Sequence, residues 1–164
     1  MSKIAIVFGS STGETEKVAE ELKTLLGDAD LYNAESVDTK DLQPYDLLVL
    51  GASTTGVGDL QDDWEGLLPK VEKMDFSGKK VALFGLGDSA SFSTSFVGSM
   101  YHLYKALKGK ADIIGSVSTD GYTFDESDSV VNGKFVGLPI DQDNESDKTS
   151  DRLSHWAESL KSAL

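Results

Sequence analysis

Residues 3–16 read KIAIVFGSSTGETE: an apolar run, Ile4 to Phe8, that ends in glycine, serine and threonine and passes into a helical segment. An apolar run with no polar alternation is what a strand covered on both faces of a parallel sheet requires. The loop from Gly9 to Thr15 has the look of a phosphate cradle, because the start of a helix offers unpaired backbone N–H groups and a partial positive charge. It carries no lysine: Glu14 stands where a nucleotide-triphosphatase loop, GxxxxGK[ST], needs its cation, so triphosphate chemistry is disfavoured. What remains is a loop for one terminal phosphate, with Ser10, Ser11, Thr12 and Thr15 as hydroxyl donors and Glu14 turned to solvent. On these residues alone, a Ser/Thr-rich helix start without a ligand is the competing reading.

The same strand-then-helix unit recurs along the chain. Further apolar runs lie at Tyr45–Leu50, Lys80–Phe84 and Asp112–Val117, with a weaker one at Asp28–Ala34. Between them run amphipathic stripes: Val18, Leu22, Leu25 and Leu26, stopped by Gly27; Trp64, Leu67, Leu68 and Val71, where Pro69 is expected to bend or break the helix; Phe96, Met100, Leu103, Tyr104 and Leu107; and Leu153, Trp156, Ala157, Leu160 and Leu164. No repeat, linker or low-complexity tract divides the chain, so residues 1–164 are expected to form one domain. The alternation predicts an α/β, doubly wound, five-stranded parallel sheet of order 2-1-3-4-5. The segment Ser118–Asp147, rich in Gly, Asp and Ser, is expected to be an excursion that interrupts the last strand.

Composition narrows the chemistry. There are no cysteines and two histidines, His102 and His155, in unrelated segments, which removes disulfides, thiol nucleophiles and thiolate metal centres and disfavours a histidine metal site. Redox chemistry would therefore need a bound organic cofactor. A net charge of −13 makes nucleic acid and anionic membranes poor partners and suits either plain solubility or docking to basic proteins. No apolar run approaches the ~20 residues of a membrane span. The first residues read as a strand rather than a secretory signal, so a cytoplasmic protein is expected.

The loops after three of the main strands, 9–15, 51–59 and 85–95, are all rich in Gly, Ser and Thr, and in an open α/β sheet the ligand lies outside the strand carboxyl ends. Two decoys fall away. GLGDSA, Gly85 to Ala90, matches a dinucleotide fingerprint but lacks a prompt helix and a following strand ending in an acid. DQDNESD, Asp141 to Asp147, imitates a calcium loop, but Ser146 replaces the turn glycine and Arg152 stands where a bidentate Glu is needed, so it reads as a solvated acidic loop and no metal site is expected.

Taken together, GSSTGETE, STTGVGDLQDDWEG, ALFGLGDSASFS and STDGYTFDESDSVVNGKFVGLPIDQDNESDKTSDR resemble the flavodoxins, and the last stretch resembles the insertion of their long-chain group. The resemblance runs essentially from Lys3 to Leu164 and implies a flavodoxin-like fold with non-covalently bound FMN. It implies that Ser10, Ser11, Thr12, Gly13, Glu14 and Thr15 hold the FMN phosphate, and that Thr54 and Asp143 approach the ribityl chain. Ser53, Thr54, Thr55, Gly56, Val57 and Gly58, with Leu86, Gly87, Asp88, Phe92, Phe96 and Val97, would frame the ring, and Asp88 would read its pyrimidine edge by backbone groups. This chain departs from the family at both stacking positions, with Thr55 for the frequent Trp and Phe92 for the usual Tyr. An aromatic pair contributes ~0.5–1.5 kcal/mol beyond its area, so weaker FMN binding and a more exposed ring are expected.

The resemblance further implies one-electron transfer between redox proteins in place of a ferredoxin, at low potential, with no substrate turnover of its own. The Gly56–Val57 peptide is expected to turn its carbonyl toward the flavin on reduction, a rotation glycine permits. Asp59, Asp62, Asp63, Glu65 and Asp88 would disfavour a reduced, anionic flavin. The first four would form a docking rim for a partner with a basic surface, such as a ferredoxin/flavodoxin-NADP reductase, with the carrier itself a monomer. The rival readings are an FMN-dependent NAD(P)H:quinone reductase of the same fold, for which no Arg/Lys cluster near the flavin loops is seen, and a flavin-free interaction module.

Overall fold

In β1 (Ile4–Gly9), Ile4, Ile6 and Phe8 face one side of the sheet while Ala5 and Val7 face the other, and all five are buried. The period of two and the burial of both faces are the reason this stretch is apolar throughout. The structure, a computed structural model, describes residues 3–9, 13–27, 29–55 and 58–164, without the side chain of Thr55.

β1 leads into α1 (Glu14–Leu26), which ends at Gly27, and the chain returns through β2 (Ala29–Asn33) and the single turn α2 (Thr39–Leu42). β3 (Leu47–Thr55) follows; the chain then reverses so that β4 (Asp59–Leu60) pairs antiparallel with its end, Thr54 opposite Leu60 and Thr55 opposite Asp59. α3 (Asp62–Val71), β5 (Lys80–Leu86) and α4 (Gly98–Leu107) complete the second half-turn of winding. Pro69 does not end α3, which continues to Val71. It sits in the last turn on the exposed face, so the one N–H it lacks would have bonded a carbonyl that water reaches.

The parallel ladder has the order β10 (Leu138–Ile140), β5, β3, β1, β2, the expected 2-1-3-4-5 arrangement. Its far edge is built in two pieces. β6 (Asp112–Ile114) pairs with Lys80–Ala82 of β5, and β10 (Leu138–Ile140) pairs with Phe84–Leu86. The single strand expected over 112–117 is thus corrected: it stops at Ile114, Gly115 takes a φ of 85°, and Val117–Ser118 becomes β7 of a separate small sheet with β8 (Val130–Val131) and β9 (Lys134–Phe135). The excursion therefore does interrupt the last strand. Its Tyr122, Phe124 and Phe135 form an aromatic cluster with Phe96 at centroid distances of 5.2–6.2 Å, which attaches it to the main core.

α5 (Gln142–Ser162) closes the fold against α1. The acidic stretch 141–147 is its first turns, not a solvated loop. Asp141 caps the helix by accepting from the Asn144 N–H, and Glu145 pairs with Lys148 at 2.8 Å and Arg152 at 3.0 Å. Two cores result, one on each face of the sheet. The α1/α5 side holds Ile6, Leu22, Phe84 and Leu153; the α3/α4 side holds Leu50, Trp64, Met100 and Phe135. Each such fully buried large side chain contributes about 1.5–3 kcal/mol of transfer free energy.

Candidate functional site

The carboxyl ends of β1, β3, β5 and β10 open on one edge of the sheet, the edge that also carries Gly13, Gly58, residues 87–97 and the first turn of α5. Of the expected phosphate-loop residues, Ser10, Ser11 and Thr12 lie outside the described residues. Gly13 has a φ of 91° and is the N-cap of α1, a position with no side-chain capping bond. Glu14 is half-exposed, with Lys17 at 3.7 Å. Thr15 is 1% exposed, and its Oγ1 is buried without a hydrogen-bond partner. A buried hydroxyl left unpaired carries a penalty of about 1–3 kcal/mol, so its presence at a helix start, where anions are favoured, marks a place built for an acceptor.

A second orphan hydroxyl is Ser53 Oγ, three residues from the end of β3. Its neighbour Thr54 is committed to protein: Oγ1 donates to Ser99 Oγ at 2.9 Å and accepts from the Ser99 N–H at 3.3 Å. Gly56 and Val57 lie outside the described residues, as does the Thr55 side chain. Gly58, with φ of 80°, accepts at its carbonyl from His102 Nε2 at 3.0 Å.

The loop after β5 is held from the α5 side. Leu86 is buried, and the Gly87 N–H donates to Ile140 O at 3.0 Å. Asp88 accepts from the Ala90 and Ser91 N–H groups and from Asn144 Nδ2 at 2.8 Å. The Ser91 N–H, then Asn144, holds its carboxyl below the usual aspartate range. The Asp88 side chain is thus occupied by protein donors. Ser89 Oγ donates to Asp141, which is fully buried. Phe92 keeps its ring 43% exposed, and Ser95 Oγ is a third buried hydroxyl without a partner.

Two residues that the resemblance assigns to the ring are packed among protein groups. Phe96 is 1% exposed, its ring stacked on Phe124 at 5.6 Å, its N–H donating to Glu126 O and its carbonyl accepting from Ser127 Oγ. Val97 is fully buried, and its carbonyl accepts from Ser129 Oγ at 2.8 Å. It also has a φ of 48°, a left-handed conformation that strains a β-branched residue and that such surrounding bonds must enforce. Asp143 is exposed at the start of α5. Desolvation, then the charges of Asp88, Asp141 and Glu14, raise its carboxyl.

Reading the sequence missed Asp141, Asn144, Ser89, Ser99 and His102 as supports of these loops. An Asp directly after the strand run VGLPI, ahead of a helix, is the one local signal available, as a helix N-cap. The rest depend on contacts between distant segments.

A protein-family model described as Flavodoxin matches residues 6–156. Flavodoxin 1 of Azotobacter vinelandii is 50% identical over 163 residues, covering 95% of this chain and 94% of the relative. The flavodoxin of Helicobacter pylori is 40% identical over 165 residues, covering 100% and 99%. Among solved structures, Fusobacterium nucleatum flavodoxin bound to flavin mononucleotide superposes with a TM-score of 0.94 at 32% identity, covering 100% of this chain and 99% of that one. This chain belongs to the flavodoxin family.

Proposed function

We propose that this chain carries single electrons between redox proteins by means of non-covalently bound FMN, with residues 1–164 acting as one domain. The observation that carries the reading is the unpartnered, buried Thr15 hydroxyl in the first turn of α1, in a chain of this family. FMN supplies reversible one-electron redox chemistry at low potential, which the side chains of a cysteine-free chain do not. Doubly wound sheets bind ligands at the reversal of strand order, a rule for which flavodoxins are themselves an example.

The protein's part is to bind and orient. The first turn of α1, with Thr15 Oγ1, holds the phosphate by dipoles and hydroxyls; Ser10, Ser11 and Thr12 are assigned to the same task on the family pattern. Ser53 Oγ faces the ribityl chain, while Thr54 braces β3 against α4 rather than binding. Leu86, Gly87 and the backbone of Asp88 border the ring, and Phe92 covers its exposed face. Asp143, with Glu14 and Asp88, surrounds the mouth with negative charge, which opposes accumulation of charge on the cofactor and favours a low potential.

Asp62, Asp63 and Glu65 stand in the first turn of α3 and Asp59 just before it, a rim suited to a basic partner such as a ferredoxin/flavodoxin-NADP reductase. Reversing these four charges should slow electron exchange with such a partner at low salt, with the difference fading as salt rises. A monomer in the cytoplasm fits this carrier role; no helix among the described residues is long and apolar enough to cross a membrane. The names of the relatives do not favour a quinone reductase.

Stepwise reductive titration followed by absorbance tests the reading. Two resolved one-electron steps are expected. Rapid oxidation of NAD(P)H by the chain alone would overturn it in favour of the reductase.

A further inference from the structure

The chain reverses between Thr55 and Asp59, and both described flanks of that reversal are fastened to the first turns of α4. On the β3 side, Thr54 Oγ1 and Ser99 Oγ are 2.9 Å apart, and Ser99 Oγ donates onward to Ala52 O at 3.3 Å. On the β4 side, Gly58 lies against Gly98 so closely that a Cβ at residue 98 would come within 2.8 Å of Gly58 Cα and 2.9 Å of its carbonyl oxygen. One turn further along the same helix face, His102 Nε2 reaches that carbonyl at 3.0 Å. A carbonyl oxygen only accepts, so Nε2 is the donor in this contact.

We infer that His102 is a positioning residue that pins the Gly58 carbonyl and thereby fixes the pivot of the 55–58 reversal. The inference rests on the proposed FMN site, to which the family resemblance assigns residues 53–58. Residue 98 is glycine because the two backbones touch, but contact alone leaves the Gly58 peptide free to rotate. Gly58 has no side chain to resist rotation and sits at a φ of 80°. The hydrogen bond from His102 removes that freedom. Thr54 and Gly58 are then both anchored, and any rearrangement of the backbone beside the flavin is confined to the residues between them. Releasing the Gly58 carbonyl lets this backbone sample more orientations, and a redox state of the flavin that contacts one of them better than the other state does loses stabilisation when the pin is removed.

His102 is exposed, so its replacement leaves the core intact. His102→Leu keeps bulk and removes the donor; His102→Gln restores an N–H donor. Two measurements are made on the full chain as purified: amide hydrogen exchange over residues 53–60, which does not depend on any cofactor, and the midpoint potential of the first one-electron step with FMN added. His102→Leu is expected to speed exchange in that segment and to disfavour the first step by a roughly three- to tenfold change in its equilibrium constant, a tenfold change being 59 mV for one electron. His102→Gln is expected to stay within about twofold of the parent on both readouts. Unchanged exchange and potential in His102→Leu would overturn the inference, as would equal effects in Leu and Gln. A parent chain that takes up no FMN would overturn the site reading, and the exchange arm would still decide the pin.

Discussion

Thr15→Val replaces the buried hydroxyl at the start of α1 with a methyl group of the same shape, and its effect should change sign with FMN. Without FMN, Oγ1 is buried and unpartnered, a condition worth about 1–3 kcal/mol against the folded state. The valine variant should therefore be more stable than the parent by about 1 kcal/mol, a Tm rise of roughly 2–4 °C for a domain of this size. With FMN, the same hydroxyl donates to a charged phosphate, a bond worth about 1.5–3 kcal/mol. Its loss should weaken FMN binding by about tenfold to about 150-fold. Because a ligand stabilises in proportion to the logarithm of its saturation, the Tm order of the two proteins should invert at excess FMN. Thermal unfolding with and without FMN, together with calorimetric titration, reads both arms. A variant less stable than the parent in the absence of FMN would show that the hydroxyl has a structural partner, and the phosphate assignment would lose its support.

Asp141→Ala should be destabilising by about 1–3 kcal/mol in urea unfolding, because it removes the cap of α5 and strands Ser89 Oγ and the Asn144 amide; Asp141→Asn should recover part of the loss. Phe92→Ala should leave stability within about 0.5 kcal/mol, since the ring is exposed, yet lower FMN affinity roughly two- to tenfold in a fluorescence titration. Asp143 has its carboxyl raised by desolvation and then by Asp88, so the folded state holds that proton more tightly and its cost grows as pH rises from the ordinary 3.8 through the raised value. Asp143→Asn should accordingly be more stable than the parent at neutral pH, with the advantage gone below pH 3.8, as followed by denaturation across pH.

The sheet was legible because its chemistry is local. Ile4 to Phe8, Leu47 to Leu50 and Val81 to Phe84 are apolar on both faces, and such runs have no place except under helices on both sides. The far edge was not. Asp112–Val117 reads as one strand, but the sheet takes only its first half and fills the remaining register with Leu138–Ile140, a choice made by pairing with β5. The start of α5 was misread because Asp, Asn, Glu, Ser and Lys carry no apolar period; a buried cap and the Glu145 ion pairs hold it instead. Phe96 matched a core stripe, and the aromatic cluster of the insertion that buries it joins segments too far apart in sequence to be read from either. The supports of the site join residues 44 and 45 positions apart, as in His102 to Gly58 and Ser99 to Thr54, and leave no trace in either segment alone.

If the first turn of α1 grips an anionic phosphate with helix dipole and hydroxyls, FMN and riboflavin, which differ by that phosphate alone, should separate in a side-by-side titration. One FMN should bind per chain, with riboflavin bound more weakly by at least the roughly tenfold that a single charge-assisted bond supplies. Equal affinities for the two, or no uptake of FMN at all, would contradict that grip.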